Sequence, residues 1–175
     1  AIAECLGQLA FAHAWVDEYD DGVRLADEAV RFAERSGDDR ALARALSNRA
    51  LVSKDFDAMA AAARPALALL RKGGQLHDVC GLCATTGFVA IAERRDREAI
   101  SWLEEGIDAG RSSSSEELSV ALGNLGLAKL FLGDLDGAEE VLVEALVSRS
   151  WSASDPRIAE TVLAVAAVYA LRGDL

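Results

Sequence analysis

Proline is nearly missing from this chain, at 2 residues in 175, so helices meet few interior breakers. Aromatic residues make up only 6%, which argues against a β-sandwich or barrel. Cysteine is limited to Cys5, Cys80 and Cys83, an odd and small set that is no disulfide framework and reads as reduced thiols. Lys and Arg form no run, and the formal net charge is −11, from 29 acidic and 18 basic residues. A phosphate-binding surface needs clustered cations, so no direct nucleic-acid binding and no docking on anionic membrane are expected. No stretch reaches the roughly 18 apolar residues of a membrane span. Ala1-Ile2-Ala3-Glu4 lacks the basic flank of a signal peptide, and Arg172 to Leu175 stop as a turn begins. The chain is therefore expected to be a cytoplasmic fragment of a longer protein.

What the chain does have is alanine and leucine, within a hydrophobic fraction of 51% that is ample for a packed core. These residues recur with a long period. Asn124-Leu125-Gly126 is followed by Gly133-Asp134-Leu135-Asp136-Gly137-Ala138 and then Ala145-Leu146. That is a helix, a Gly-Asp turn and a second helix, with Asp134 as the N-cap and Asp136 adding negative charge to the first turn. The small residue of this unit is Gly126. Its counterparts are Ala10, Ala50, Gly87 and Ala166, at steps of 40, 37, 39 and 40 residues. A small side chain there lets the two helices of a hairpin approach closely. Such self-similarity at a fixed period is the mark of a repeat architecture.

The second helices keep the same register. Gly22, Ala99 and Ala138 share one position, Ala26, Leu103 and Leu142 the next, and Ala29, Gly106 and Ala145 the third. The i, i+4, i+7 spacing is one face of a helix. The short step belongs to the second unit, where Ser53-Lys54-Asp55-Phe56-Asp57 is about three residues shorter than its counterparts. Asp55 should then cap a helix carrying Met59, Ala63 and Ala66 on the buried face, with Pro65 kinking or interrupting it. Linkers are expected at Ser36 to Asp39, Gly73 to Gln75, Gly110 to Ser115 and Ser152 to Asp155. Ser113 with Glu116 and Ser114 with Glu117 fit capping boxes, and Asp155-Pro156 fits a cap followed by proline at the first helical position. The resulting map has nine helices, near 1–16, 19–36, 39–53, 55–72, 76–93, 96–110, 115–132, 135–149 and 156–172, and no strand. It predicts a single all-α solenoid over 1–175, a right-handed superhelix of antiparallel helix pairs. The repeats fall near 1–37, 38–74, 75–111 and 112–152, with a half-repeat at 153–175.

Residues able to carry chemistry are few. His77, Cys80 and Cys83 form H-x-x-C-x-x-C, but zinc needs four ligands or three with water, and His13 and Cys5 are remote. The residues are expected to be two thiols packed in a helix, with His77 near its exposed start. No metal, no cofactor and no catalytic residue are expected. Two distant histidines support no nucleophile–base pair, and Gly73-Gly74 lacks the Lys-Ser or Lys-Thr of a phosphate loop. Trp102 and Trp151 read as packing elements between repeats.

The unit around Asn124-Leu125-Gly126 resembles the tetratricopeptide (TPR) repeat family, as does Val165-Ala166 with Tyr169 and Gly173-Asp174. The chain departs from that pattern at Lys129, where an aromatic is usual, at the shortened second turn and at Pro65. Longer repeats with Ala-rich helices and Gly-Asp turns are similar to the sensor regions of large bacterial transcriptional regulators of the LuxR or MalT kind. The resemblance implies a non-enzymatic protein-interaction module, and the first helix of each pair would line a groove. Residues just after the small position should face it: Phe11, Leu51, Phe88, Leu127 and Ala167. Trp15 and Phe131 extend the apolar stripe one turn on. Two residues before the small position lie Gln8, Asn48, Thr85, Asn124 and Ala164. Of these, Phe11, Trp15, Asn48, Leu51, Thr85, Phe88, Asn124, Leu127 and Phe131 are the candidate partner-binding residues. Amides would bond a peptide backbone and rings would take its side chains, or Asn48 and Asn124 would bond neighbouring carbonyls instead. The family's two-carboxylate clamp is not expected, because Ser47 and Gly123 stand where a cation would be needed. The partner is expected to be a protein, a peptide or another domain of the same chain. A small-molecule inducer in the groove and self-association as a homodimer are the alternatives.

Overall fold

The computed structural model describes residues 2–16, 18–148 and 156–173, with the side chains of Trp15, Pro156 and Arg157 left outside that description. Among the described residues there are nine α-helices and no strand. They are α1 (Ile2–Trp15), α2 (Tyr19–Ser36), α3 (Asp39–Leu51), α4 (Phe56–Lys72), α5 (Leu76–Ala92), α6 (Asp96–Ser113), α7 (Leu118–Phe131), α8 (Leu135–Val147) and α9 (Pro156–Arg172). Aspartate caps fix the starts of α3, α4 and α8. Asp38 accepts from the N–H groups of Arg40 and Ala41, Asp55 from that of Ala58 at 2.8 Å, and Asp134 from that of Gly137 at 3.0 Å. Each satisfies an N–H that has no partner inside its helix. The expected cap Asp155 and the ring of Trp151 lie outside the described residues.

Three expectations are corrected. Pro65 does not interrupt α4, which runs unbroken to Lys72. Proline leaves the carbonyl four residues back without a donor, but Ala61 and Pro65 are both exposed, so water reaches that side. Nor does Gly110 end α6, which continues to Ser113. Gly110 serves close approach instead, since a Cβ there would stand 2.8 Å from Cys80 Sγ. The hydroxyls of Ser112 and Ser113 donate back to the carbonyls of Asp108 and Ala109, which holds the extra turn together. The two capping boxes consequently do not form. Ser114 closes α6 at φ 52°, and Ser115 Oγ accepts the Glu117 N–H at 3.2 Å.

The chain divides into two compact units, 1–75 and 76–175. In the first, α1 packs on α2 and α3, α2 on α3, and α3 on α4. One core cluster there joins Ala10, Leu25, Ala26 and Val52, and a second joins Ala29, Ala33 and Ala45. In the second unit α5 packs on α6 and α7, α6 on α7, α7 on α8 and α9, and α8 on α9. Within each unit, the helices of the first hairpin thus meet each other and the first helix of the next hairpin, as a stacked repeat requires. The predicted buried register holds throughout. Gly22, Ala26, Ala29, Met59, Ala63, Ala66, Ala99, Leu103, Gly106, Ala138, Leu142 and Ala145 are all buried.

The small positions work by close approach. A Cβ on Gly87 would lie 2.5 Å from Leu103 Cγ, and one on Gly126 would lie 2.4 Å from Leu142 Cγ. Glycine at this position faces leucine, whereas Ala10 shares its cluster with Ala26. Bulk removed from one helix is returned by the other. The turn after the small position has its own requirement. Gly133 sits at φ 81°, and its register counterpart Arg94 adopts φ 61° at some steric cost.

Candidate functional site

The first helices of the second unit present a groove of about 280 Å³. It is lined from α5 by Ala84, Thr85 and Phe88, from α7 and its approach by Glu117, Ser119, Val120, Gly123, Asn124 and Leu127, and from α9 by Glu160 and Thr161. Helical spacing places them there. Thr85 and Phe88, like Asn124 and Leu127, are three residues apart and share a face. Phe88 is 53% exposed, an unusual fate for a phenylalanine beside a well-packed core, while Leu127 is half-buried at the groove floor.

Four of the nine expected residues therefore meet in one groove: Thr85, Phe88, Asn124 and Leu127. Phe11 and Asn48 line a separate hollow of about 290 Å³ in the first unit with Glu4, Gly7, Gln8 and Arg44. Leu51 is half-buried and lines neither. Phe131 is 46% exposed but stacks under the Arg94 guanidinium, 4.6 Å from its ring centroid, outside the groove. The Trp15 side chain lies outside the described residues.

The polar ladder is already partly engaged. Asn124 Nδ2 donates to the Ala84 carbonyl at 3.2 Å, joining α7 to α5 and leaving Oδ1 for another partner. Asn48 takes the same place in the first unit. Its Nδ2 presses on Gly7, the register counterpart of Ala84, so closely that a Cβ there would stand 2.2 Å away. Thr85 Oγ1 donates to the Gly81 carbonyl at 3.0 Å within its own helix, so it can only accept from a ligand.

Sequence reasoning missed Ala84, Glu117, Ser119, Val120, Gly123, Glu160 and Thr161 as lining residues. A signal for two of them was present. One helical turn before Gln8, Asn48, Thr85, Asn124 and Ala164 stand Glu4, Arg44, Gly81, Val120 and Glu160, which continue the same face. Glu117 and Thr161 fall outside that register and carried no such signal.

His77, Cys80 and Cys83 are not gathered as ligands. Cys80 and Cys83 are fully buried, and a Cβ on Gly106 would come within 2.7 Å of Cys83 Cβ. Burial pushes the Cys80 thiol above its ordinary pKa. His77 is exposed and its Nδ1 lies 2.9 Å from Ser115 Oγ. Among the described residues the one trio with ligand atoms close together is His13, Glu18 and Asp21, within 4.8 Å. His13 is already bonded to Glu18 and Asp21 to Arg24. Trp102, at 2% exposure, is a packing residue.

No family model matches the chain, and no curated protein matches it. Solved structures do. BtubC (BKLC) from P. vanneervenii is 21% identical, with a TM-score of 0.77 over 98% of this chain and 73% of its own. A kinesin light chain-like protein of Podosopora anserina with nearly identical TPR-like repeats is 14% identical, with a TM-score of 0.72 over 97% of this chain and 86% of its own. A single-substitution variant of that protein gives 13% identity and a TM-score of 0.76 over the same shares. At such identities the likeness shows the fold: a TPR-like helical repeat.

Proposed function

We propose that this chain is a protein-interaction module that holds an extended peptide segment of a partner along the face of α5, α7 and α9. The observation that carries the reading is the groove itself. Phe88, Val120 and Leu127 offer apolar contact, while Thr85, Ser119 and Asn124 offer polar groups beside them. An apolar side chain held half in water costs free energy unless something covers it, and exposed apolar patches on soluble domains mark contact surfaces. An extended peptide matches the chemistry, with Asn124 Oδ1 and the Thr85 hydroxyl accepting backbone N–H groups and Phe88 taking a side chain. The exposure of Phe88 favours such a segment over a small molecule, which would be enclosed more fully.

On this reading the chain has no catalytic role, as is ordinary for TPR-like scaffolds. The repeat length, Ala-rich helices and Gly-Asp turns support a parent of the LuxR or MalT type, in which the array 1–175 would be one solenoid acting as a bacterial sensor segment. The bound segment would belong to a separate protein or to another domain of the parent.

The test is to pan a random nonapeptide library against the whole chain and measure recovered peptides by fluorescence anisotropy. Phe88→Ala should weaken them by about 2 kcal/mol, roughly thirtyfold, as expected for an aromatic anchor. Ala substitution of Phe11, in the other unit, should leave them unchanged. Recovered peptides indifferent to Phe88→Ala would place binding elsewhere.

A further inference from the structure

We infer that the groove of the second unit selects a cationic segment, one carrying Lys or Arg beside apolar side chains. The inference rests on the peptide-binding reading above and adds the chemistry of the partner.

Among the described residues that line the groove, two are charged, Glu117 and Glu160, and none is Lys, Arg or His. Neither carboxylate forms an ion pair or side-chain hydrogen bond with the described residues. Elsewhere the chain pairs its acids readily. Asp27 meets Arg49, Asp39 meets Lys72, Glu98 meets Arg95, Glu144 meets Arg111, and Glu139 meets Arg172.

The first unit supplies an internal control. Its counterpart hollow also carries charge, but Glu4 and Arg44 stand at adjacent register positions and form a 2.9 Å ion pair. In the second unit the same positions are Gly81, Val120 and Glu160. The cation is replaced by a small residue and an apolar one, and the carboxylate remains without its neighbour. Glu117 adds a second negative charge against Gly81, its Cγ 3.6 Å from where a Cβ would be. A groove with low-dielectric walls and charge of one sign attracts the opposite sign, and like charge placed there is repelled. A net charge of −11 reinforces that field. An acidic segment would meet unpaired carboxylates on both sides of its path, whereas a Lys or Arg would neutralise them while its neighbours cover Phe88 and Leu127.

The experiment uses the same nonapeptide library and the whole chain. Pools recovered at low salt should be enriched in Lys and Arg. A synthesised representative should bind the Glu117→Gln, Glu160→Gln double variant roughly three- to tenfold more weakly, because each exposed pair contributes only a fraction of a tenfold step. Raising the salt should weaken wild-type binding and narrow the difference between the two proteins. Pools free of basic residues or enriched in Asp and Glu, yet still lost on Phe88→Ala, overturn the charge assignment and leave the peptide groove standing. Basic peptides bound equally by the double variant overturn it too. A library that yields no peptide sensitive to Phe88→Ala removes both readings.

Discussion

At the residue scale, the small positions carry the close packing of the hairpins. Gly126 and Leu142 form the tightest pair of this kind, and Leu142 is fully buried with nowhere to retreat. Gly126→Ala should therefore destabilise the protein by about 1–3 kcal/mol, despite alanine's better helix propensity, because overpacking outweighs that gain. Leu142→Ala alone should cost about 2–5 kcal/mol. The double variant recreates the small-against-small pairing of Ala10 and Ala26, so urea denaturation should show a cost below the sum by at least about 0.5 kcal/mol. Additive costs would mean that the two residues do not share the space the geometry gives them. The small residues could be read directly from the period. Their partners could be read as a register, but not the distances that make glycine obligatory opposite leucine.

At the element scale, α9 is tied to α8 by charge as well as by Ala164 and Val168 packing on Ala138 and Leu142. Tyr169 Oη donates to Glu139 Oε1 at 2.5 Å, and Arg172 pairs with Glu139 and with Asp136. The hydrogen bond from Tyr169, followed by that from Arg172, holds the Glu139 carboxyl below the ordinary carboxylate value of 4.5. A carboxylate whose pKa is lower when folded stabilises the fold above its unfolded value. That contribution is lost as the pH falls through the folded value. Tyr169→Phe should therefore lower the melting temperature near neutral pH, and the difference from wild type should shrink as the pH falls through and below the carboxylate range. A difference that stays constant under acid would assign the effect of Tyr169 to packing alone. The Gly-Asp turn pattern made both helices legible. The Glu139 cluster was not, because its members lie about 30 residues apart and meet only when α9 packs on α8.

At the scale of the whole molecule, stability in a stacked repeat is a sum of neighbour contacts. Within the second unit α7 is surrounded most fully, with α5, α6, α8 and α9 against it, whereas α9 meets only α7 and α8. Hydrogen exchange should find the slowest amides in α7 and much faster ones in α9, and in the first unit slower exchange in α3 than in α4. Uniform protection along each unit would show that it opens as one block instead. Charge belongs to this scale too. The excess of acid was plain from composition, but which carboxylates remain unpaired depends on which helices become neighbours.

The helices, their caps at Asp55 and Asp134, the buried register and the TPR-like fold were determined by the sequence alone, because each depends on residues within one or two helical turns or on a period that repeats. Thr85, Phe88, Asn124 and Leu127 were legible for the same reason. Tertiary structure decided the rest. It kept α4 continuous through Pro65, turned Gly110 from a helix stop into a contact for Cys80, and placed Phe131 under Arg94. It also decided that the first-unit hollow neutralises its own charge, while Glu117 and Glu160 line their groove with no cation among the described residues paired to them. Those outcomes depend on solvent access and on contacts between separate helices, where local pattern says what a face contains but not what it meets.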